Sequence, residues 1–329
     1  MNGPTTPGAW LVTGGSGFIG AALLRLLQAE APQQAVWLAG RQAQQPAHPA
    51  WRSLQMDLAA PTLVLPDGLH TVLHLAGEKR DTARMAAINH DAALRLVEAA
   101  ARAGAQRFVH LSSVGVYGAR HHAGVVTEAC PQTPRGAYET SKAAGEQAVR
   151  SRCAALGLRC VVLQPSNVVG VVTGPRRYLP LLGLVRMVAR GWFRHFGRRE
   201  AWVNYVAVED VAAALLAAAR PGAAEGVFIV NTPVPLARFV GWVAGELGLP
   251  LPQARLPWWL GAAAAEAGTL GSGLLRRSLP FDRARFGELT NTTRYDGTAL
   301  QRALGFKYPL GMENALRQMV RQYRDMGLV

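Results

Sequence analysis

Short β-type runs alternate with alanine-rich helical stretches through the first half of the chain, and this alternation leaves little choice of fold. Residues 9–13, 35–39, 71–75, 107–111 and 158–163 read as strands, with helices over about 18–29, 89–103 and 137–156 between them. Short apolar strands joined by amphipathic helices form βαβ units, whose parallel sheets are buried on both faces. The expected fold class is therefore α/β: a doubly wound parallel sheet of Rossmann type with a smaller C-terminal substrate-binding cap. After about Gly170 the pattern changes. Residues 171–202 are basic and aromatic-rich, 204–230 return to a helix followed by a strand, and from Asn231 the chain reads as irregular and proline-rich until a final helix over 313–326. Residues 1–170, with 203–232 returning to them, are expected to form the dinucleotide-binding domain. Residues 171–202 and 233–329 are expected to cap the sheet's carboxyl edge, where open α/β sheets bind ligands.

Composition narrows the function classes. With 329 residues, half of them hydrophobic, the chain can build a large core and is too apolar to be disordered. The most apolar stretch, 258–275, is interrupted by Glu266 and by Gly261, Gly268, Gly271 and Gly273, so no integral membrane span is expected. Residues 2–9 lack the basic and apolar regions of a signal peptide, and Cys130, Cys153 and Cys160 form no CxxC pair, which together predict a cytoplasmic protein with structural thiols. No metal is expected, since nothing at ligand spacing joins His121-His122. The net charge is +14, and only Lys79, Lys142 and Lys307 among 35 basic residues are lysines. Charge alone does not make a nucleic-acid-binding protein. One cluster is local, however: Arg176, Arg177, Arg186, Arg190, Arg194, Arg198 and Arg199 occur with no acid among them, as an anionic ligand would require.

Two motifs carry chemistry. In Leu11-Val-Thr-Gly-Gly-Ser-Gly-Phe-Ile-Gly20 the glycines follow a strand and open a helix. There Gly14, Gly17 and Gly20 permit a tight turn and a close approach to a pyrophosphate, whose charge the helix N-terminus stabilises. No acid ends the second strand to hold the ribose hydroxyls of NAD. Gly40-Arg41 stands there instead, and a guanidinium can pair with a 2′-phosphate, so NADP(H) is favoured with NAD(H) as the alternative. Asp57 is placed to meet adenine, or else is a turn residue. The second motif is Tyr138-Glu-Thr-Ser-Lys142, whose phenol and ammonium share a helix face at i and i+4. A neighbouring cation lowers a tyrosine's pKa and suits it to proton exchange with a carbinol. Ser113, at a strand end, could hold the same substrate oxygen.

Together with His74-Leu-Ala-Gly77, Val116-Tyr-Gly118, Pro165-Ser-Asn-Val-Val-Gly170, Asn204-Tyr-Val-Ala-Val-Glu-Asp-Val211 and Leu304-Gly-Phe306, these motifs resemble the extended short-chain dehydrogenases/reductases, also called the NAD-dependent epimerase/dehydratase family. The resemblance covers nearly the whole chain. It implies Tyr138 as general acid/base, Lys142 on the nicotinamide ribose and Ser113 on the substrate oxygen. It also implies Gly14, Gly17, Phe18, Ile19, Gly20, Arg41, Asp57, Leu58, Ala76, Gly77, Lys142 and Pro165 around the cofactor, with Asn167 on the substrate. Asn89, opening a helix, matches a position that supports the active site in relatives; an N-cap is its other reading. A small-molecule substrate and a homodimer through the helices carrying Asn89 and Tyr138 are also implied.

Two departures bear on the substrate. Val114-Gly115 stands where sugar 4,6-dehydratases carry Asp-Glu, which speaks against dehydration, and Val203-Asn204 stands where many sugar-nucleotide epimerases carry Arg-Asp. A nucleotide sugar, epimerised or reduced by interconverting a secondary alcohol and a ketone, is the first expectation, with the arginine cluster as substitute phosphate ligand. An apolar ketone, as for a ketoreductase or hydroxysteroid-type dehydrogenase, is the second. A non-catalytic cofactor-binding sensor or scaffold is the third, and retention of both Tyr138 and Lys142 speaks against it. Leu256-Pro-Trp-Trp-Leu260 is expected to pack within the cap, lining an apolar pocket or touching a membrane being its other readings.

Overall fold

The computed structural model describes residues 8–43, 45–118, 124–171, 179–275 and 281–329; His121, His122, Arg176 and Arg177 lie outside these. Seven strands form one sheet: β1 (Ala9–Thr13), β2 (Val36–Gly40), β3 (Trp51–Gln55), β4 (Leu69–His74), β5 (Arg107–Leu111), β6 (Arg159–Pro165) and β7 (Gly226–Val230). Their spatial order is β7-β6-β5-β4-β1-β2-β3, every neighbouring pair parallel. The strand order reverses at β1, between β2 and β4, which makes the carboxyl end of β1 the topological switch point. Leu11, Val12, Val72, Leu73, Phe108, Val109, Val161 and Val162 are completely buried, as central strands covered on both faces must be.

In chain order the principal helices are α1 (Phe18–Glu30), α2 (Ala92–Arg102), α3 (Ala137–Ala155), α4 (Leu182–Ala189), α5 (Val208–Ala219), α6 (Leu236–Glu246), α7 (Trp258–Leu275), α8 (Arg283–Leu289) and α9 (Met312–Asp325). One face of the sheet is covered by α1 and α5 through Leu23, Leu27, Val211 and Leu215. The other is covered by α2 and α3 through Leu96, Val97, Val149 and Cys153.

The chain leaves the sheet after β6 and returns at β7. At the crossing, Asn167–Val169 pairs in parallel with Tyr205–Ala207. The excursion contains α4, and the second departure, after β7, contains α6 to α9. Val185, Val188, Phe239, Val240, Met319 and Tyr323 build a core common to both excursions. Asp210 of α5 accepts hydrogen bonds from the backbone N–H groups of Leu310 (2.8 Å) and Gly311 (3.1 Å), tying the entry of α9 to the helix that covers the sheet.

Four expectations are corrected. Trp51–Gln55 is a strand that an apolar-run reading misses, because at the edge of the sheet only Trp51 of its five residues is buried. The helix expected from Asn89 begins at Thr82, capped by Asp81, and passes through a π-turn over Ala87–Asp91 before α2. The stretch after Asn231 is largely helical, and two glycines within its longest helix serve packing: a Cβ on Gly261 would overlap the rings of Phe196 and Phe286, and one on Gly268 the Phe281 carbonyl. Finally, Leu256, Trp258, Trp259 and Leu260 are exposed rather than buried in the cap.

Candidate active site

A cleft of about 1700 Å³ opens at the carboxyl ends of β1, β4 and β5. Its floor is the β1–α1 turn. Gly14 has φ +73° and stands against β4, so that a Cβ there would come within 2.7 Å of the Ala76 nitrogen. Gly17 donates its N–H to the Gly14 carbonyl at 3.0 Å and caps α1. A Cβ on Gly20 would overlap that same carbonyl oxygen. Thr13 braces the turn from below: its hydroxyl lies 2.8 Å from His74 Nδ1 and accepts from the Ala76 N–H at 3.3 Å. Side chains are excluded where a phosphate needs bare backbone and a helix N-terminus, so the turn fits a dinucleotide pyrophosphate.

Ser113 caps a short 3-10 helix (Val114–Tyr117) after β5, its Oγ accepting from the Gly115 N–H at 3.1 Å. The Tyr138 phenol, on the first turn of α3, faces Ser113 across the cleft lining. Burial pushes the phenol above its ordinary pKa, and the Ser113 hydroxyl opposes that rise. The depression expected from Lys142 does not arise in this state, because the ammonium is turned elsewhere. Its Nζ donates to the Leu111 carbonyl at 2.6 Å, and burial brings its pKa down to about 8 against the opposing pull of the Glu146 carboxylate.

The structure brings Gly14, Gly17, Phe18, Ile19, Gly20, Gly77, Ser113, Tyr138, Lys142 and Asn167 to the cleft wall. It places the others outside that wall. Arg41 is exposed beyond β2, its carbonyl accepting from Gln55. Asp57 accepts from the Ala59 N–H in a turn, and Leu58 packs against the α2–α3 side core. Ala76 lies beneath Gly14, and Pro165 ends β6 paired with Val230.

Asn89 is not an N-cap. Buried in the π-turn, it donates to the Glu78 carbonyl (2.8 Å) and Ser141 Oγ (2.9 Å), and its Oδ1 accepts from the Glu78 N–H (2.8 Å). It thereby fixes the loop after β4 to the turn of α3 that carries Tyr138 and Lys142. Glu146, one turn beyond Lys142, was not expected to matter. Its buried carboxylate accepts from Gln164 (2.9 and 3.0 Å) and Gln132 (2.8 Å), while Gln164 accepts from the Tyr117 hydroxyl at 2.8 Å. The i, i+4 spacing of Lys142 and Glu146 is the one signal that could have found it. His74 and His110 lie beneath Lys142 with ring centroids 5.5 Å apart. Burial chiefly, and Lys142 next, holds His74 down to about 3 and His110 well below its ordinary value.

At the substrate end Leu179, Leu181, Leu182, Leu184 and Met187 form one apolar wall. The lining also includes polar residues on and after α8, Arg283, Arg285, Glu288 and Asn291, with Arg285 beside Gly183. Arg186, Arg190, Arg194, Arg198 and Arg199, the described members of the arginine cluster, do not line the cleft. Arg186 donates to the Leu328 carbonyl, Arg190 lies over the Trp192 ring, and Arg194 bonds the carbonyls of Gly191 and Phe193. Asn204 is equally committed, donating to the Thr293 carbonyl and accepting from Asn231 and the Tyr295 N–H. Among the described residues no group of His, Cys, Asp and Glu could hold a metal ion.

Comparison with known proteins agrees with this architecture. The model of the NAD dependent epimerase/dehydratase family matches residues 10–230. A ceramide reductase of Caulobacter vibrioides is 30% identical over 65% of this chain, which spans 61% of that protein's length. A UDP-glucose 4-epimerase of Mycolicibacterium smegmatis is 30% identical over 73% of the chain and 83% of its own length. Sterol demethylase protein B of Methylococcus capsulatus is 27% identical over 97% of the chain and 99% of its own length.

Proposed function

The chain belongs to the NAD-dependent epimerase/dehydratase family, and from that premise we propose that it interconverts a secondary alcohol and a ketone on an apolar, lipid-like small molecule. The observation that carries this reading is the leucine-rich wall at the substrate end, facing a cleft from which the described arginines of the basic cluster are absent. Of that cluster Arg186, Arg190 and Arg194 are engaged elsewhere, and Arg198 and Arg199 are exposed outside the cleft. A nucleotide sugar is the second reading, supported by Arg283 and Arg285 in the cleft lining and by the similarity to a UDP-glucose 4-epimerase.

In this reading residues 1–170 and 203–232 are the dinucleotide-binding domain, and 171–202 with 233–329 the substrate cap. The glycine turn and the α1 N-terminus would hold the pyrophosphate, Gly77 and Lys142 the nicotinamide half, and Arg41 the adenine ribose end, favouring NADP(H) over NAD(H). Asp57, Leu58, Ala76 and Pro165 complete the proposed surroundings of the cofactor, and Asn167 contacts substrate. When bound, the nicotinamide supplies or accepts hydride. The protein's part is position and protons. Ser113 Oγ holds the substrate oxygen, and Tyr138, kept protonated by burial, donates to that oxygen as the ketone becomes an alcohol. Lys142 then carries the positive charge that steadies the phenolate left behind. A homodimer through the helices bearing Asn89 and Tyr138 belongs to the same reading.

The test is reduction of a long-chain or polycyclic ketone against a UDP-sugar by the purified protein with NADPH and with NADH. Turnover of the apolar ketone that Tyr138→Phe lowers about 100- to 10,000-fold, with nucleotide binding retained, is the expected outcome. Turnover confined to the UDP-sugar would reverse the two readings, and full activity in the Phe variant would remove Tyr138 from the chemistry.

A further inference from the structure

Helix α7 is built inside out. Its small side faces the protein: Ala265 is completely buried, and a Cβ on Gly261 or Gly268 would overlap Phe196 and Phe286 or the Phe281 carbonyl. Its large residues face away. Trp259 and Leu270, three turns apart on one face, are 64% and 73% exposed, with Trp258 and Leu260 exposed beside them. A face with such large apolar residues is ordinarily buried or in contact with lipid, and among the described residues nothing buries Trp259 or Leu270, although Glu266, ion-paired to Arg283, lies on the same face between them.

The start of this face is flanked by basic groups. Arg255–Leu256 pairs with His195–Phe196, which brings the two segments side by side. Gly197, at φ +69°, lets Trp258 approach to 3.5 Å from where a Cβ would stand, and exposed Arg198 and Arg199 follow at once. Arg255 is exposed on the neighbouring strand. The nearby acids are Glu200, which follows Arg199, and Glu266, which is ion-paired to Arg283.

We propose that this face docks on an anionic lipid bilayer. Trp259 and Leu270 enter the boundary between headgroups and acyl chains, and Arg198, Arg199 and Arg255 meet the headgroup phosphates. The helix lies in the membrane plane: no helix among the described residues is long and apolar enough to cross a membrane. The docked helix packs through Gly261 on Phe286 of α8, and α8 contributes Arg283, Arg285 and Leu289 to the cleft wall. The bilayer is thus one helix away from the substrate end. The surface is defined by α7 and its arginines alone, whatever the cleft binds.

Co-sedimentation of the full chain with phosphatidylcholine vesicles, with and without phosphatidylglycerol, tests the proposal. Partitioning about tenfold stronger onto the anionic vesicles is expected, lost at high salt and in Arg198→Glu/Arg199→Glu. Trp259→Ser/Leu270→Ser, confined to exposed positions, is expected to weaken it about tenfold while dinucleotide binding, measured in parallel as a check of folding, is unchanged. Absence of partitioning by the wild-type chain, or equal partitioning by the serine variant, overturns the proposal. So does a Trp259→Ser/Leu270→Ser variant that sheds a dimer in light scattering without any change on vesicles, since a second copy would then be what covers the face.

Discussion

Lys142 and Glu146 stand one helical turn apart in a buried environment, and their coupling is open to measurement. Burial lowers the lysine to about 8 and the carboxylate pulls the other way. An ammonium needed for turnover is therefore lost as pH rises through about 8. Glu146→Gln removes the attraction and should move the alkaline limb of kcat/KM to lower pH by about one unit; an unmoved limb would mean that Lys142 is not the titrating group. His110 offers a second test. Neither ring nitrogen has a hydrogen-bond partner, so the ring is kept neutral at an energetic cost in acid. The neighbouring His74, held at about 3 against an ordinary value of 6.5, fixes the sign. Above 6.5 both folded and unfolded chains leave the ring neutral. Below it only the unfolded chain takes up the proton, so stability drains away as pH falls, by about 2 kcal/mol at pH 5 for His74 and in the same direction for His110. Replacing His110 with Phe should remove part of the acid loss between pH 7 and 5 in urea unfolding, leaving the curve above pH 7 nearly unchanged.

At the scale of elements, the contact between the π-turn and α3 sets the register of the site. Gly145 of α3 lies against the Asn89 carbonyl so closely that a Cβ would overlap its oxygen. Gly145→Ala should force the two helices apart and cost about 1–3 kcal/mol, with a fall in dinucleotide affinity because Lys142 lies on the displaced helix; equal stability and affinity in the alanine variant would contradict this. Much of this layer was legible in the sequence. Six of the seven sheet strands, the glycine turn, and the Ser113–Tyr138–Lys142 grouping follow from runs of apolar residues and fixed spacings. What escaped was written in contacts rather than in runs. Trp51–Gln55 has too few buried positions to read as a strand, the π-turn has no composition of its own, and Asn89 reveals its three hydrogen bonds only once the loop after β4 is beside α3. The helices after Asn231 were hidden by the prolines between them, such as Pro250, Pro252 and Pro257, which stand in the connections rather than inside a helix. Predicting where arginines point was beyond reach for a different reason: Arg186 and Arg194 bond carbonyls whose positions depend on the folded cap.

For the molecule as a whole, the route of the chain through the sheet matters more than any one contact. The seventh strand arrives only after the excursion that carries Asn167–Val169, α4 and Tyr205–Ala207 has been made. A nascent chain therefore cannot complete its seven-stranded sheet until the segment between β6 and β7 has emerged. Stopped at residue 170, it would present β6 as a bare edge of completely buried valines, open to pairing with other chains. The fragment 1–170 should accordingly aggregate or bind chaperones, whereas a fragment ending after Val230 should stay in solution longer, and centrifugation of the two translation products would separate these outcomes. The excursion that interrupts the sheet also sets the order of biogenesis: the sheet finishes folding on a schedule written by the segment that leaves it.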